Sequence, residues 1–334
     1  MNPDLVEAIG RLRREQVIAD PPAETLLRVA RAELVSVELE LRTLLYAGVL
    51  LIVSGAGLFL KENHDRLGPV AIATLLGAAA AACLVYAARR LPAFTWQAAA
   101  SDHLGADYVL LLGVLLFGAD LGYLEAQLHL FGRGWPYHLL LLAGVAFVLA
   151  YRFDSRSVLS LALTSFAAWR GVSVSLTLAA RGGATAPVIR WNAIGCGVLF
   201  LAGAAASVRW RRKAHFEGVY ATLGLVLVLG ALVSGAWMSS SRWLARVGQQ
   251  PDRVWMLWEL ALLGVSAAVV LLAYRLRRPL DFSLGVLGAY LGILRLVWEI
   301  GVGRGASFML VVAVTSAAVI AFLVRAQRRM KEAS

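Results

Sequence analysis

The sequence predicts an all-α, polytopic helical membrane protein of about ten transmembrane helices. Three observations predict it. Of the 334 residues, 60% are hydrophobic and the mean hydropathy is +0.71, whereas soluble domains hold roughly 45–50% apolar residues. Apolar runs long enough to cross a hydrocarbon layer of about 30 Å recur along nearly the whole chain. Arg and Lys gather in short clusters at the ends of those runs, as the positive-inside rule requires. That placement accounts for the net charge of +11. The aromatics do not interleave with a basic patch, so no nucleic-acid partner is expected.

Residues 1–42 read as a cytoplasmic amphipathic segment. Leu5, Ile9 and Leu12 recur at helical spacing among Arg11, Arg13 and Arg14, which predicts a short amphipathic helix. Asp20-Pro21-Pro22 breaks it, with Asp20 placed to cap a new helix and Pro21 in its first turn. Leu27, Ala30, Leu34, Val37, Leu41 and Leu44 then follow a heptad pattern into the first span. This helix is expected to pack on the protein's own cytoplasmic face, the alternative being a coiled-coil dimer; residues 1–42 could also dock a cytoplasmic protein partner. The first apolar run begins near Thr43, behind charged residues, so no signal peptide is expected.

The spans are predicted at 43–60, 69–88, 107–130, 136–152, 157–169, 188–208, 216–238, 254–274, 280–301 and 306–325. Pro69, Pro136, Pro187, Pro251 and Pro279 sit at or just before a span, and none falls inside one. The fifth span is short: the sequence allows a break at Trp169-Arg170-Gly171, the favoured reading, or one long helix with a buried Arg170. This divides the chain into 1–42, a first membrane half at 43–180, a second at 188–325, and a basic tail at 326–334. With the N-terminus inside, the inner connections carry Arg89 and Arg90; Arg152 and Arg156; Arg209, Arg211, Arg212 and Lys213; and Arg275, Arg277 and Arg278. Both termini are then cytoplasmic. Cys83 and Cys196 fall inside spans and read as small core residues.

Charged groups inside spans mark the candidate site, because each costs roughly 2.5–3.5 kcal/mol at mid-membrane on insertion scales. The third span carries Gly118, Gly122, Glu125 and His129 at i, i+4, i+7 and i+11, which is one helix face. The ninth carries Gly288, Gly292, Arg295 and Glu299 at the same spacing. Gly118 to Leu124 aligns with Gly288 to Leu294, five of seven residues being identical. A parallel internal repeat of spans 1–4 as 7–10 would explain this; chance within a small apolar alphabet is the alternative. The GxxxG pairs predict close packing of span three on span nine, with Glu125 near Arg295. Glu259 lies at a similar depth in span eight. Asp120, Tyr123 and Gln127 form a second polar face, a candidate proton or cation site or a hydrogen-bonded core. No P-loop, HExxH, paired CxxC, EF-hand loop or GxSxG elbow is present, so no cofactor, metal or catalytic set is expected.

Several stretches carry a resemblance: Glu38 to Gly48, Lys61 to Gly68, Asp107-Tyr108 with Leu110 to Gly113, Gly122 to Gln127, and Ala150 to Asp154 through Phe166 to Trp169. They resemble the predicted membrane proteins grouped as domain of unknown function 2157, over roughly residues 35–175. The resemblance implies a bacterial inner-membrane protein and supplies no activity. Family members often carry a Tyr near the Gln of the third span, where this chain has His129, so no role is carried over there.

Three functions are compatible with this pattern. Glu125, His129, Glu259, Arg295 and Glu299 could line an outward-facing cavity that binds or moves a small solute or ion. The chain could instead be a scaffold or accessory envelope protein docked through residues 1–42. A third reading is an outer-leaflet enzyme using His129 with Glu125 or Glu259 for acid–base chemistry.

Overall fold

A backbone crossing hydrocarbon has no water to bond with, so each apolar run must satisfy its own N–H and C=O groups as a helix. The computed structural model describes residues 3–15, 19, 24, 26, 38–62, 68–92, 94–97, 104–129, 131–179, 185–238, 254–300 and 306–332. Among the described residues there are eleven α-helices and no strand. The chain forms two compact units, Met1–Asn63 and His64–Ser334.

The first unit holds α1 (Pro3–Arg14), the expected amphipathic helix, and α2 (Glu38–Glu62), the first span. The heptad stretch 27–37 lies outside the described residues. The second unit holds α3 (Pro69–Arg90), α4 (Leu104–Leu128), α5 (Tyr137–Phe153), α6 (Arg156–Ala179) and α7 (Thr185–Arg209). It continues with α8 (Glu217–Met238), α9 (Val254–Arg275), α10 (Pro279–Ile300) and α11 (Ala306–Glu332). Helices α2 to α11 correspond one to one with the ten predicted spans. Eight are long and apolar enough to cross a membrane; α5 is apolar but shorter, and α6 is the serine-rich remainder. Pro69 and Pro279 open α3 and α10, and Pro187 lies in the first turn of α7. Pro251 lies outside the described residues.

The fifth span is not broken. Helix α6 runs through Trp169, Arg170 and Gly171 to Ala179. A helical Gly costs only about 1 kcal/mol relative to Ala, less than the several kcal/mol of a backbone group left unbonded in lipid. Arg170 stays exposed on the helix surface and donates to Asn192 Oδ1 on α7 at 2.9 Å.

Four antiparallel pairs build the second unit: α3 with α4, α5 with α6, α7 with α8, and α9 with α10. Helix α8 is the hub and touches α6, α7, α9 and α10. Its span is 56% buried, against 6% for that of α11. Small residues set the closest approaches. A Cβ on Gly197 would lie 2.7 Å from the Gly224 carbonyl oxygen, and one on Gly224 would lie 2.8 Å from that of Gly197, so α7 and α8 meet backbone to backbone. On α10, Gly285 faces Val269 and Val270, Gly288 faces Ser266, and Gly292 faces Leu263 and Glu259.

This corrects the expected pairing of spans three and nine. The glycines of α10 are used on α9, with Leu229 of α8 beside Gly288. On α4, Gly118 faces Leu142 of α5, and a Cβ on Gly122 would meet nothing within 4 Å. The principal partner of α4 is α3, where Gly113 packs on Cys83 and Leu84. A helix of this kind has several small-residue faces, and spacing alone does not say which neighbour each one meets.

Candidate functional site

The α9–α10 seam gathers the buried charges. Helix α10 presents Gly285, Gly288, Gly292 and Arg295 along one face, at i, i+3, i+7 and i+10. Helix α9 answers with Ser266 and, two turns nearer its start, Glu259. The glycines bring the backbones close enough for Glu259 to fit: a Cβ on Gly292 would stand 3.1 Å from Glu259 Oε1. Arg295 is fully buried and Glu259 is 3% exposed. Arg295 Nε lies 3.7 Å from Glu259 Oε2, and Arg295 Nη2 lies 3.9 Å from Glu299 Oε2, one turn along the same helix. Both distances are ion pairs longer than a direct hydrogen bond. Neither Glu259 oxygen, nor the Ser266 hydroxyl, has a hydrogen-bond partner among the described residues. A buried carboxylate without hydrogen bonds is costly unless a proton, an ion or water joins it.

Glu125 and His129 do not join this group. Helix α4 ends at Leu128, and His129 turns left-handed with φ 51°, so it leaves the face it was expected to share. The Glu125 side chain folds onto that end and accepts the Phe131 N–H at 2.9 Å, which ties the turn before Gly132–Gly134. No ion pair links Glu125 to Arg295 among the described residues. The His129 side chain is exposed and forms no hydrogen bond or ion pair with Glu125 or Glu259 among the described residues, so the geometry of an acid–base pair is not present. Asp120 faces Gly77 of α3, with its Oδ1 buried and without a hydrogen-bond partner among the described residues. Tyr123 is half-buried and Gln127 is exposed, so the three do not form one enclosed polar face.

A second buried constellation was not anticipated from the sequence. It joins the α3–α4, α5–α6 and α7–α8 connections. Lys213, 1% exposed, places its Nζ 2.7 Å from Asp154 Oδ1, and His215 Nε2 lies 2.6 Å from the same oxygen. The ammonium stands 5.3 Å from the Phe94 ring centre and 5.7 Å from that of Phe216, an aromatic box for a cation. The Lys213 N–H donates to the Trp96 carbonyl at 2.9 Å. One signal could have found it: Asp154 is a lone acid between Arg152 and Arg156 in a basic connection. Arg278 in the α9–α10 connection pairs with Glu217, and with Asp281 at 3.8 Å; Asp281 also accepts from Thr222 at 3.2 Å.

The fold and its buried charges define the class: a multi-pass α-helical membrane protein in contact with a lipid bilayer. Residues 10–159 match the model of the family described as Predicted membrane protein (DUF2157). No curated protein and no solved structure matches the chain. The matched segment includes Asp120, Glu125 and Asp154, and it stops short of Lys213, Glu259, Arg295 and Glu299.

Proposed function

We propose that the protein is a bacterial inner-membrane protein, with both termini cytoplasmic, that binds or moves a small ion or solute at Glu259 and Arg295. The observation that carries this reading is the Glu259 carboxylate. It is buried in a transmembrane seam, 3.7 Å from a guanidinium, with neither oxygen hydrogen-bonded among the described residues. Intramembrane ionisable pairs of this kind mark ion and proton paths in other membrane proteins. The Ser266 hydroxyl, two turns deeper on the same face of α9, is a further polar atom along the seam.

Full burial of Arg295 favours a second reading, in which the pair only staples α9 to α10 and the protein is a scaffold with a docking segment at residues 1–42. Flux separates the two. Purified protein in proteoliposomes, under imposed proton or Na⁺ gradients, should pass ions. Glu259→Gln should abolish the flux in a protein that still inserts and keeps its melting temperature. Wild-type vesicles as tight as empty ones, with no ion-dependent shift in melting temperature, would reject the ion reading in favour of the scaffold.

A further inference from the structure

A cavity of about 640 Å³ opens where α9 ends, α10 begins and α11 ends, and four arginines converge on it: Arg275, Arg277, Arg325 and Arg329. Phe282, 5% exposed, lines its inner side and packs in a core with Ala273, Val270, Val286, Leu323 and Ala326. Its walls are therefore built, and α11 is held in place on α10. Gln327 Nε2 donates to Ser283 Oγ at 2.9 Å, and the Tyr290 hydroxyl lies 2.9 Å from Thr315 Oγ1 and 2.8 Å from Ser316 Oγ. Neighbouring Arg278 is already committed to Glu217 and Asp281. Arg275, Arg325 and Arg329 have no carboxylate partner among the described residues. All four guanidiniums are exposed, so solvent screens their mutual repulsion, but they concentrate positive potential on one cavity, and guanidinium forks match phosphate oxygens two at a time.

The geometry points to a binding site for the phosphate of an anionic membrane phospholipid. Two observations favour a lipid over a free phosphate. The cavity lies at the ends of three membrane helices, and only 6% of the α11 span is buried, so lipid reaches its rim. Tyr274 and Phe322, 64% and 53% exposed, add apolar wall that a soluble anion would not use but a glycerol backbone and acyl chain would. Basic pockets between helix ends bind anionic headgroups in this way. The site lies outside the family-matched residues, so it belongs to this chain's second half.

The test uses the full chain, purified in a neutral detergent. Phosphatidylglycerol should raise the melting temperature, while phosphatidylcholine and inorganic phosphate should not. The double variant Arg325→Gln, Arg329→Gln should lose that rise and the co-purified anionic lipid read by mass spectrometry. The control Arg89→Gln, Arg90→Gln removes equal charge elsewhere and should keep both. If the double variant keeps the rise, or the control loses it equally, general charge attraction replaces the site. If inorganic phosphate alone gives the rise, the lipid source is wrong. If the double variant does not fold, Arg325→Lys, Arg329→Lys takes its place: it keeps the charge, loses the forks, and should retain less lipid than wild type.

Discussion

At the scale of single residues, five non-glycine positions among the described residues adopt the left-handed region: His129 (φ 51°), Asp154 (φ 61°), Arg211 (φ 54°), Lys213 (φ 51°) and Arg277 (φ 53°). Glycine is the usual occupant just past a helix end, and a side chain there costs roughly 1–2 kcal/mol. At Asp154 and Lys213 the side chains offset that cost by pairing with each other in a buried site. At His129 the side chain is exposed and makes no such pair among the described residues. The two positions should therefore respond to glycine in opposite directions. His129→Gly should leave the stability unchanged or raise it by up to about 1 kcal/mol, seen as an unchanged or higher melting temperature. Lys213→Gly relaxes the same backbone strain but leaves Asp154 without its ammonium, and should destabilise by about 3 kcal/mol or more. Thermal denaturation in detergent reads both, and a stable Lys213→Gly protein would show that the pair is incidental.

At the scale of elements, hydropathy sums over about twenty residues, so the start of every span was legible in the sequence to within a few positions. The prolines sharpened the starts for the same reason they are tolerated there: the first turn needs no N–H from them. The misread element was the fifth span, where Arg170-Gly171 looked like a stop. In water those two residues would weaken a helix end; in lipid the backbone cannot leave the helix for so small a signal. Packing was less legible than the spans, because one helix carries several small-residue faces. The backbone-to-backbone approach of α7 and α8 uses Gly197 and Gly224, which no motif singled out. Each faces a carbonyl oxygen at under 3 Å from its would-be Cβ, so neither contact can be relieved by a side-chain rotation. Gly197→Ala or Gly224→Ala should cost about 1–3 kcal/mol by forcing α7 and α8 apart. Gly122→Ala, where a Cβ meets nothing within 4 Å, should cost nothing measurable. Equal effects at the two sites would mean that α7 and α8 do not meet as described.

At the scale of the whole molecule, depth was legible but partnership was not. Arg295 and Glu299 are one turn apart and could be paired from the sequence, and Glu259 was placed at their level. Glu125 was expected at that depth on a similar glycine face, yet its side chain caps its own helix end. Lys213 and Asp154 were hidden for the opposite reason: they are 59 positions apart, and Lys213 reads as one more orienting charge in a basic connection. Hydrogen bonds and ion pairs show that these connections converge. Trp96, Asp154 and Lys213 join the α3–α4, α5–α6 and α7–α8 connections. Glu217 and Arg278 join that group to the α9–α10 connection, and Arg277 and Arg329 share a cavity with the end of α11. The basic connections thus occupy one end of the second unit, and on the orientation proposed above that end faces the cytoplasm. Cysteines placed at 211 and 212 should then be shielded from a membrane-impermeant maleimide in intact cells and react once the cells are opened. Cysteines at 182–184 and 247–250, outside the described residues but in the opposite connections, should react in intact cells. Arg211 and Arg212 are exposed, so their silence in intact cells would report the membrane rather than burial. Reaction at 211 or 212 from outside would invert the topology and move Glu259 and Arg295 to the cytoplasmic side.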